Sequence, residues 1–209
     1  MVAMKNVEII IGEGITEEYY FKSVRDVVYI KPPAKPIKPY NLKELEKAIK
    51  QYAEGGYTTI HCLIDMDNKV KKAETLSNYI KLKEKYHNKT ISDGKNGVNC
   101  KVYFYESYPC TEAFFYYYFE YSTAEKTNEG LKSWLNSRCG YETSERYLST
   151  HSLHKEFKNY GGCLKKAIEN SNKSVKSREE GNYNFTYTEI GKLITELGII
   201  EEVYQCLFM

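Results

Sequence analysis

Four carboxylate side chains stand directly behind two apolar runs of the sequence. Glu13 and Glu17 follow the first run, and Asp65 and Asp67 follow another one later in the chain. Carboxylate oxygens are preferred ligands of hard divalent cations, and two such ions held roughly 3.5 to 4 Å apart stabilise the attacking and leaving oxygens of phosphodiester cleavage. The pattern therefore predicts a Mg²⁺ (or Mn²⁺) centre that contains these four residues, whereas zinc fits the ligand set less well.

Each of the two pairs brings like charges close together. If the turn passes directly into a helix, Glu13 and Glu17 lie about 5 to 6 Å apart at their Cβ atoms. Asp65 and Asp67 point to the same side of a continuing strand. Such pairs repel unless a cation lies between them, which favours the metal site. For either pair alone, the alternative of ordinary acids at a helix start stays open, because helix N-termini favour negative charge.

The overall charge of the protein gives little indication of its partner. The 209 residues include 30 Lys and Arg against 28 Asp and Glu, which leaves a formal net charge of +2. This balance predicts no global positive field, so any surface that binds nucleic acid must be local. Lys69, Lys71 and Lys72 could meet phosphates, although a charge run on a helix is more often a solvent-exposed face.

The pattern of apolar residues predicts the elements that position the carboxylates. Strands are predicted at Val7–Gly12, Val27–Lys31, Tyr57–Ile64 and Cys100–Tyr105, and helices at Thr16–Val27, Leu42–Glu54 and Lys69–Tyr86. The proline series between residues 32 and 39 and the segment His87–Asn99 are predicted as loop and turn. Alternating strands and helices imply crossover connections and a mainly parallel sheet, whose ligands bind beyond the carboxyl ends of the strands.

The pattern changes to helices after Pro109. Helices are predicted at Thr111–Tyr121, Glu129–Asn136, Glu145–Phe157, Leu164–Lys176 and Thr188–Gln205. We therefore predict an α/β fold with a mainly parallel sheet flanked by helices. Residues 1–108 form its α/β core, and residues 109–209 form a mainly helical C-terminal part that packs on the core as one compact unit.

The cysteines and the start of the sequence indicate a cytoplasmic location. Six cysteines lie far apart without a Cys-x-x-Cys pair, and the first residues lack the apolar core of a signal peptide. Reduced thiols in a cytoplasm follow. The longest apolar or aromatic stretch, Ala113 to Phe119, is far shorter than the roughly 20 residues that a membrane-spanning helix requires. We expect a protein that is not embedded in a membrane.

Three acidic blocks carry a resemblance to known families. A strand ending in Glu, followed later by a strand ending in Asp-x-Asp, resembles the TOPRIM fold of topoisomerases, primases and OLD-type nucleases. More specifically, the chain resembles the RloB family in the blocks Glu13-Gly14-Ile15-Thr16-Glu17 with Tyr20-Phe21, Leu63-Ile64-Asp65-Met66-Asp67, Ser107-Tyr108-Pro109-Cys110-Thr111-Glu112 and, less closely, Asn184-Phe185-Thr186-Tyr187-Thr188. The resemblance implies a metal-dependent nuclease of bacterial restriction or phage-defence loci. It further implies DNA or RNA as substrate, with tRNA among the candidates, and a separate ATPase partner.

The same resemblance implies a role for each site residue. Glu13 matches the TOPRIM glutamate, a metal ligand or general base, and Glu17 matches the second glutamate of the OLD-like version. Asp65 and Asp67 match the metal-binding pair, and Glu112 completes the metal site. The family pattern usually has Asn at position 108 and His near position 118, where this chain has tyrosines.

A downstream lysine is a further expectation from OLD-like nucleases. In those enzymes the lysine steadies charge in the transition state, a role that suits a compact ammonium. Lys155 is the favoured candidate here, in competition with Lys158 and Lys165. A lysine at such a position is more often a surface residue of a helix than a catalytic residue.

Other site chemistries fit the sequence less well. The segment Gly12-Glu13-Gly14 resembles part of a nucleotide-binding loop, but it lacks the Lys-Ser/Thr of a P-loop and the third glycine of a dinucleotide-binding motif. Cys110 has no histidine placed in sequence to activate it. The possible zinc ligands Cys139, His151, His154 and Cys163 match no familiar spacing. Two other functions stay open, namely a non-catalytic adaptor or sensor that docks an ATPase, and phosphotransfer or phosphatase chemistry on a small molecule.

Overall fold

A six-stranded sheet forms the centre of the part of the chain that is described. The computed structural model describes residues 7–25, 32–37, 40–92, 99–178 and 184–197. The strands are β1 (Glu8–Gly12), β2 (Ala34–Pro36), β3 (Thr59–Asp65), β4 (Lys89–Ser92), β5 (Asn99–Tyr108) and β6 (Tyr187–Thr188). β2, β1, β3 and β5 lie side by side and parallel, and β4 and β6 pair antiparallel with β5. The predicted mainly parallel sheet is confirmed.

Helices cover both faces of this sheet. They are α1 (Ile15–Arg25), α2 (Leu42–Glu54), α3 (Asp67–Val70), α4 (Ala73–Tyr86), α5 (Glu112–Tyr116), α6 (Asn128–Cys139), α7 (Glu145–Thr150), α8 (Leu153–Asn159), α9 (Leu164–Ser177) and α10 (Ile190–Glu196). Side chains alternate across the sheet, so Ile9 and Ile11 pack with α2 and α4 while Ile10 packs with α1 on the opposite face. Burial on both faces accounts for the unbroken apolar runs in β1 and β3.

The helical C-terminal part shares its hydrophobic core with the sheet. Phe114, Phe115 and Tyr118 are fully buried in one cluster with Ile10 and Tyr20. The ring of Phe115 lies 4.9 Å from that of Tyr20. The boundary predicted between residues 108 and 109 therefore runs through continuous packing, and its division of the chain into two parts stays a prediction.

A short edge strand occupies part of the segment predicted as a proline-rich loop. β2 pairs with β1 so that Gly12 lies opposite Pro36, and the N–H of Ile37 donates to the carbonyl of Gly12. Alternation along the strand then places the Pro36 nitrogen on the outer side, where no donor is needed. The loop prediction is wrong at Ala34–Pro36 for this reason. The strand predicted at Val27–Lys31 lies outside the described residues.

A second strand lies in the segment predicted as a turn. β4 pairs antiparallel with the start of β5, with Ile91 opposite Cys100. Asn88, with a φ of 56°, supplies the reversal after α4. The turn prediction for His87–Asn99 is therefore wrong at Lys89–Ser92, because β-branched residues there find a free edge of β5. β5 itself runs further than predicted and reaches Tyr108.

Two predicted helices are broken by extended residues. Lys72 (φ −132°, ψ 122°) separates α3 from α4, and His151 (φ −115°, ψ 131°) separates α7 from α8. The continuous helices predicted at Lys69–Tyr86 and Glu145–Phe157 are wrong at these points, because apolar periodicity does not report a break of one or two residues.

The remaining helix predictions fail mainly at their ends. α5 ends at Tyr116 rather than Tyr121, and Thr188 belongs to a strand while α10 begins at Ile190. Residues beyond 197 of the predicted last helix lie outside the described residues. α6 and α9 agree with their predictions to within a few residues. In the stretches that are described, every helix is too short or too polar to cross a bilayer.

Candidate metal centre

The carboxyl ends of β1 and β3 and the start of α5 meet at one edge of the sheet. Glu13 follows β1, Asp65 is the last residue of β3, and Glu112 is the first residue of α5. The main-chain N–H of Asp65 donates to Oε1 of Glu13 at 2.9 Å, which fixes one strand exit against the other. The structure thus brings these predicted residues together.

Thr111 connects two more carboxylates of the centre. Its hydroxyl lies 2.7 Å from Oε1 of Glu17 and 3.2 Å from Oδ1 of Asp65, and its main-chain N–H donates to the same Asp65 oxygen at 2.9 Å. A hydroxyl has one hydrogen, so it donates to one of the two carboxylates at a time. In the sequence, Thr111 stands out only as a member of the block that resembles the RloB family. Its place beside Glu112 was the available signal.

Gly12 makes room for Glu17 next to the end of β1. A Cβ atom at this glycine would lie 2.7 Å from the Glu17 Cβ and 2.9 Å from its Cγ. Oε2 of Glu17 also accepts from the N–H of Gly14 at 3.0 Å. Glu17 is therefore folded back over the turn that precedes α1, and it is 4% exposed.

Lys69 is the buried cation of the centre. Its ammonium donates to Oε1 of Glu13 and to the main-chain oxygen of Asp65, and it lies 4.9 Å from the centre of the Tyr40 ring. The side chain is 4% exposed. Lys69 therefore does not lie on a solvent-exposed helix face, and its contact with phosphates stays a prediction. Its position four residues after Asp65, on the first turn after β3, directs it inward to the carboxylates.

Crowding and burial shift the acidity of the carboxylates. Burial raises the pKa of Glu13 although the Lys69 ammonium opposes the shift. Burial, together with the charges of Glu112 and Glu13, raises the pKa of Glu17 to about 7 against the hydrogen bond from Thr111. The pKa of Asp65 lies well above its usual range, through burial first and then repulsion by Glu17, Glu13 and Glu112. These carboxylates are short of positive charge.

Glu112 occupies the far side of the centre. Its Oε1 accepts a hydrogen bond of 2.9 Å from the hydroxyl of Tyr141 and lies 3.8 Å from the ammonium of Lys132. Lys132 is 39% exposed at its side chain, so solvent screens its charge far more than that of Lys69. Neither Tyr141 nor Lys132 is indicated by the sequence, because both come from a distant part of the chain.

The contacts of Asp67 are with residues outside the group of the other four carboxylates. Oδ1 accepts from the N–H of Asn68 at 2.6 Å, while Oδ2 accepts from Nδ2 of Asn128 at 3.3 Å and lies 3.9 Å from the Lys71 ammonium. Oδ1 of Asn128 is buried, and no hydrogen-bond partner for it is found among the described residues. Asp65 and Asp67 were predicted to point to the same side of a continuing strand. This prediction is wrong because the strand ends and α3 begins at Asp67.

Lys155 lies on the exposed side of α8. Within the described ranges, no hydrogen bond or ion pair joins it to the carboxylates. Lys158 is exposed on the same helix, and Lys165 lies on α9. The catalytic role of Lys155 stays a prediction, whereas Lys69 contacts Glu13 of the centre and Lys132 lies 3.8 Å from Glu112.

The donor set of the centre fits a hard cation. Glu13, Glu17, Asp65 and Glu112 offer carboxylate oxygens, which Mg²⁺ and Mn²⁺ prefer. Among the residues that are described, no three His, Cys, Asp or Glu side chains are already arranged as ligands. Thr111, Lys69 and Tyr141 hold the carboxylates instead. Binding of an ion would therefore require these side chains to exchange partners.

The candidate zinc ligands do not form a second metal site. His154 is buried and its Nδ1 lies 3.1 Å from the hydroxyl of Tyr118, and the Cys139 thiol donates to the carbonyl of Leu135. His151 is exposed and stacks on Tyr147. These residues serve separate packing roles. The thiol of Cys110 is buried, and burial raises its pKa, so it is not poised as a nucleophile.

A comparison with family models identifies the family of the chain. The model described as RloB-like protein matches residues 9–197. The chain belongs to the RloB-like family. The match contains the three acidic blocks and the segment at residues 184–188, so every predicted residue of this RloB-like centre lies within it. No curated protein and no solved structure matches the chain significantly.

Proposed function

We propose that this RloB-like protein is a metal-dependent phosphodiester hydrolase with a TOPRIM-like core, a nuclease of a bacterial phage-defence or restriction-associated system. The observation that supports the proposal is the gathering of Glu13, Glu17, Asp65 and Glu112 at adjoining strand exits with too little positive charge. Crowded buried carboxylates with raised pKa values are typical of functional sites rather than of stable cores.

Glu13 and Asp65 are the residues best placed to hold Mg²⁺ or Mn²⁺. They belong to neighbouring parallel strands and already share a hydrogen bond. Glu17 and Glu112 would supply further oxygens from α1 and α5, and Asp67 would join after turning away from Asn128. A bound divalent cation supplies Lewis-acid activation of a phosphate oxygen and lowers the pKa of bound water.

The substrate in this proposal is a nucleic acid, either DNA or RNA, with tRNA among the candidates. The side chains of Lys71 and Lys132 are 66% and 39% exposed and flank Asp67 and Glu112. They are suited to contact backbone phosphates on either side of the centre. The net charge of +2 agrees with such local contacts rather than a broad basic surface. A separate ATPase subunit and a cytoplasmic location belong to the same proposal.

Metal titration combined with cleavage assays tests this function. We expect Mn²⁺ to bind in calorimetry and to support cleavage of at least one of single-stranded DNA, duplex DNA, RNA or tRNA. Asp65→Asn and Glu13→Gln should abolish both, with unchanged circular dichroism. The surface variant Glu46→Gln is the control and should keep both. Cleavage that persists in Asp65→Asn would refute the assignment.

A non-catalytic adaptor that docks an ATPase is the second candidate. The observation that favours it is the Lys69 ammonium, which already neutralises Glu13 in the centre. An adaptor of this kind needs no metal. Failure to bind Mn²⁺ together with a stable stoichiometric complex with an ATPase would favour it over the nuclease.

A further inference from the structure

We propose that Lys69 is the built-in counter-cation of the metal-free centre, and that a divalent cation binds Glu13 only after the Lys69 ammonium has left it. The inference rests on the proposed metal-dependent function. It assigns to Lys69 a role in positioning the carboxylates and in setting the metal affinity.

The first support is the burial of the ammonium. Lysine is rarely buried, because removing its charge from water is costly unless close partners compensate. The Lys69 side chain is 4% exposed, compared with 66% for Lys71, which is two residues further along the chain. The local sequence thus directs one lysine inward and the other outward.

The second support is the identity of the atoms that Lys69 contacts. Oε1 of Glu13 and the main-chain oxygen of Asp65 are hard oxygen donors at adjoining strand exits. These are the kinds of oxygen that Mg²⁺ or Mn²⁺ would take. An ammonium and a divalent cation on the same Glu13 oxygen would repel strongly in a buried site, so their occupancies exclude each other.

The third support comes from the position of Tyr40. Its ring lies 4.9 Å from the Lys69 ammonium. A ring face attracts a cation and adds no competing hydrogen-bond acceptor. The metal-free protein therefore encloses the ammonium between Glu13, the end of β3 and an aromatic face.

Competition of this kind predicts a definite effect of removing the charge. Lys69→Met keeps an unbranched side chain that is one atom shorter and deletes the ammonium, so a divalent ion no longer has to displace it. We expect Mn²⁺ to bind Lys69→Met at least about ten-fold more tightly than the wild-type protein in calorimetry. In EDTA the same variant should melt at a lower temperature than wild type, and Mn²⁺ should restore its melting temperature.

Lys132→Met is the matched control. Lys132 also approaches a carboxylate of the centre, at 3.8 Å from Glu112, but its charge is exposed to solvent. Screening should limit the change in Mn²⁺ affinity to less than about three-fold. An equal gain in Lys132→Met and Lys69→Met would show a general charge effect and overturn the specific role of Lys69.

A second variant, Lys69→Gln, tests the inference if Lys69→Met fails to fold in EDTA. Lys69→Gln is uncharged and retains an N–H donor for the oxygen of Asp65, and the same gain in Mn²⁺ affinity is expected. Binding by wild type and both variants with equal affinity would overturn the inference and leave the proposed function intact. Absence of Mn²⁺ binding in all proteins would overturn both, whereas binding only by the Lys69 variants would support the inference most directly.

Discussion

The main-chain N–H of Asp65 donates a hydrogen bond of 2.9 Å to Oε1 of Glu13. The contact connects the ends of two neighbouring parallel strands, so the Glu13 side chain is oriented by the backbone of β3. Removing the charge of one member of this pair should therefore affect the electrostatics of the centre more than its shape.

Asp65→Asn is expected to raise stability while it abolishes the response to metal. Burial and then Glu17 and Glu13 raise the pKa of Asp65 in the folded protein, so this group destabilises the fold at pH values above its unfolded pKa. Asparagine keeps an oxygen for Thr111. In EDTA at pH 8, urea unfolding should show a gain of about 1 to 2 kcal/mol.

The control for this experiment is Asp67→Asn. Asp67 accepts from Asn128 and lies apart from the crowded carboxylates, so its replacement should give no comparable gain in EDTA. Mn²⁺ should raise the melting temperature of wild type and fail to raise that of Asp65→Asn. A loss of stability in Asp65→Asn would contradict the view that charge repulsion strains the centre.

Thr111→Val should weaken the connection between α1 and β3. The variant removes the hydroxyl that lies 2.7 Å from Glu17 and leaves a buried carboxylate with fewer donors. We expect a loss of about 1 to 3 kcal/mol in urea unfolding at pH 8 and a further rise in the pKa of Glu17. Thr90→Val, on the exposed strand β4, is the control and should stay within about 0.5 kcal/mol of wild type.

Glu106→Gln should destabilise the protein through a buried network that does not include the carboxylates of the candidate metal centre. Glu106 is 1% exposed and accepts from Tyr79 and Tyr187 and from the cations of Lys83 and Arg178. Burial alone would raise its pKa, but these partners outweigh burial and lower it. Loss of the charge removes the carboxylate that Lys83 and Arg178 both contact, which costs roughly 2 to 4 kcal/mol after allowance for the partial exposure of Lys83.

Glu46→Gln provides the comparison, because Glu46 also pairs with lysine and tyrosine but at the surface. Its side chain is 29% exposed, compared with 2% for Glu106. The expected loss is below about 1 kcal/mol. Equal losses in the two variants would show that burial does not govern the strength of these networks. Guanidinium or urea unfolding at pH 7 gives both values.

His154 should make the stability depend on pH below neutrality. Burial, with the charges of Lys158 and Lys155, lowers the pKa of His154 from 6.5 to about 4. The unfolded chain therefore binds a proton at higher pH than the folded protein, and this contribution to stability is complete above pH 6.5 and falls as the pH drops toward 4. The loss over that interval is about 3 kcal/mol.

His154→Gln removes the titrating group and retains a hydrogen-bonding side chain next to Tyr118. Unfolding free energies measured at several pH values should show a shallower decline for this variant than for wild type. The difference between the two proteins at pH 8, where the histidine is neutral in both states, serves as the reference. Parallel curves for the two proteins would contradict a buried neutral His154.

The sequence predicts the part of the centre that depends on strand exits. Apolar runs place Glu13 and Asp65 at the carboxyl ends of parallel strands, and the structure brings them together. Thr111 and Tyr141 escape prediction because their contacts join residues far apart in the chain. Lys69 escapes because a charged helix predicts a solvent-exposed face, whereas the break at Lys72 leaves α3 as a single turn directed at the carboxylates.

In the fold, too, elements that depend on local sequence are predicted well, and elements that depend on distant parts of the chain are not. Helical periodicity indicates α2, α6 and α9 closely, since each buries a regular stripe. The short strands β2 and β6 form because another strand offers an unpaired edge, which no local pattern encodes. Pro36 is compatible with an edge strand, although a proline considered from the sequence alone argues against a strand.

Gly12 has no functional group, but the position of Glu17 depends on the absence of a side chain at this residue. Any larger residue would push Glu17 out of its place, since an added carbon would fall 2.7 Å from the Glu17 Cβ. Mutagenesis that is limited to acidic and basic residues would not test this position. Substitution there is expected to disturb the carboxylate centre without altering its charge.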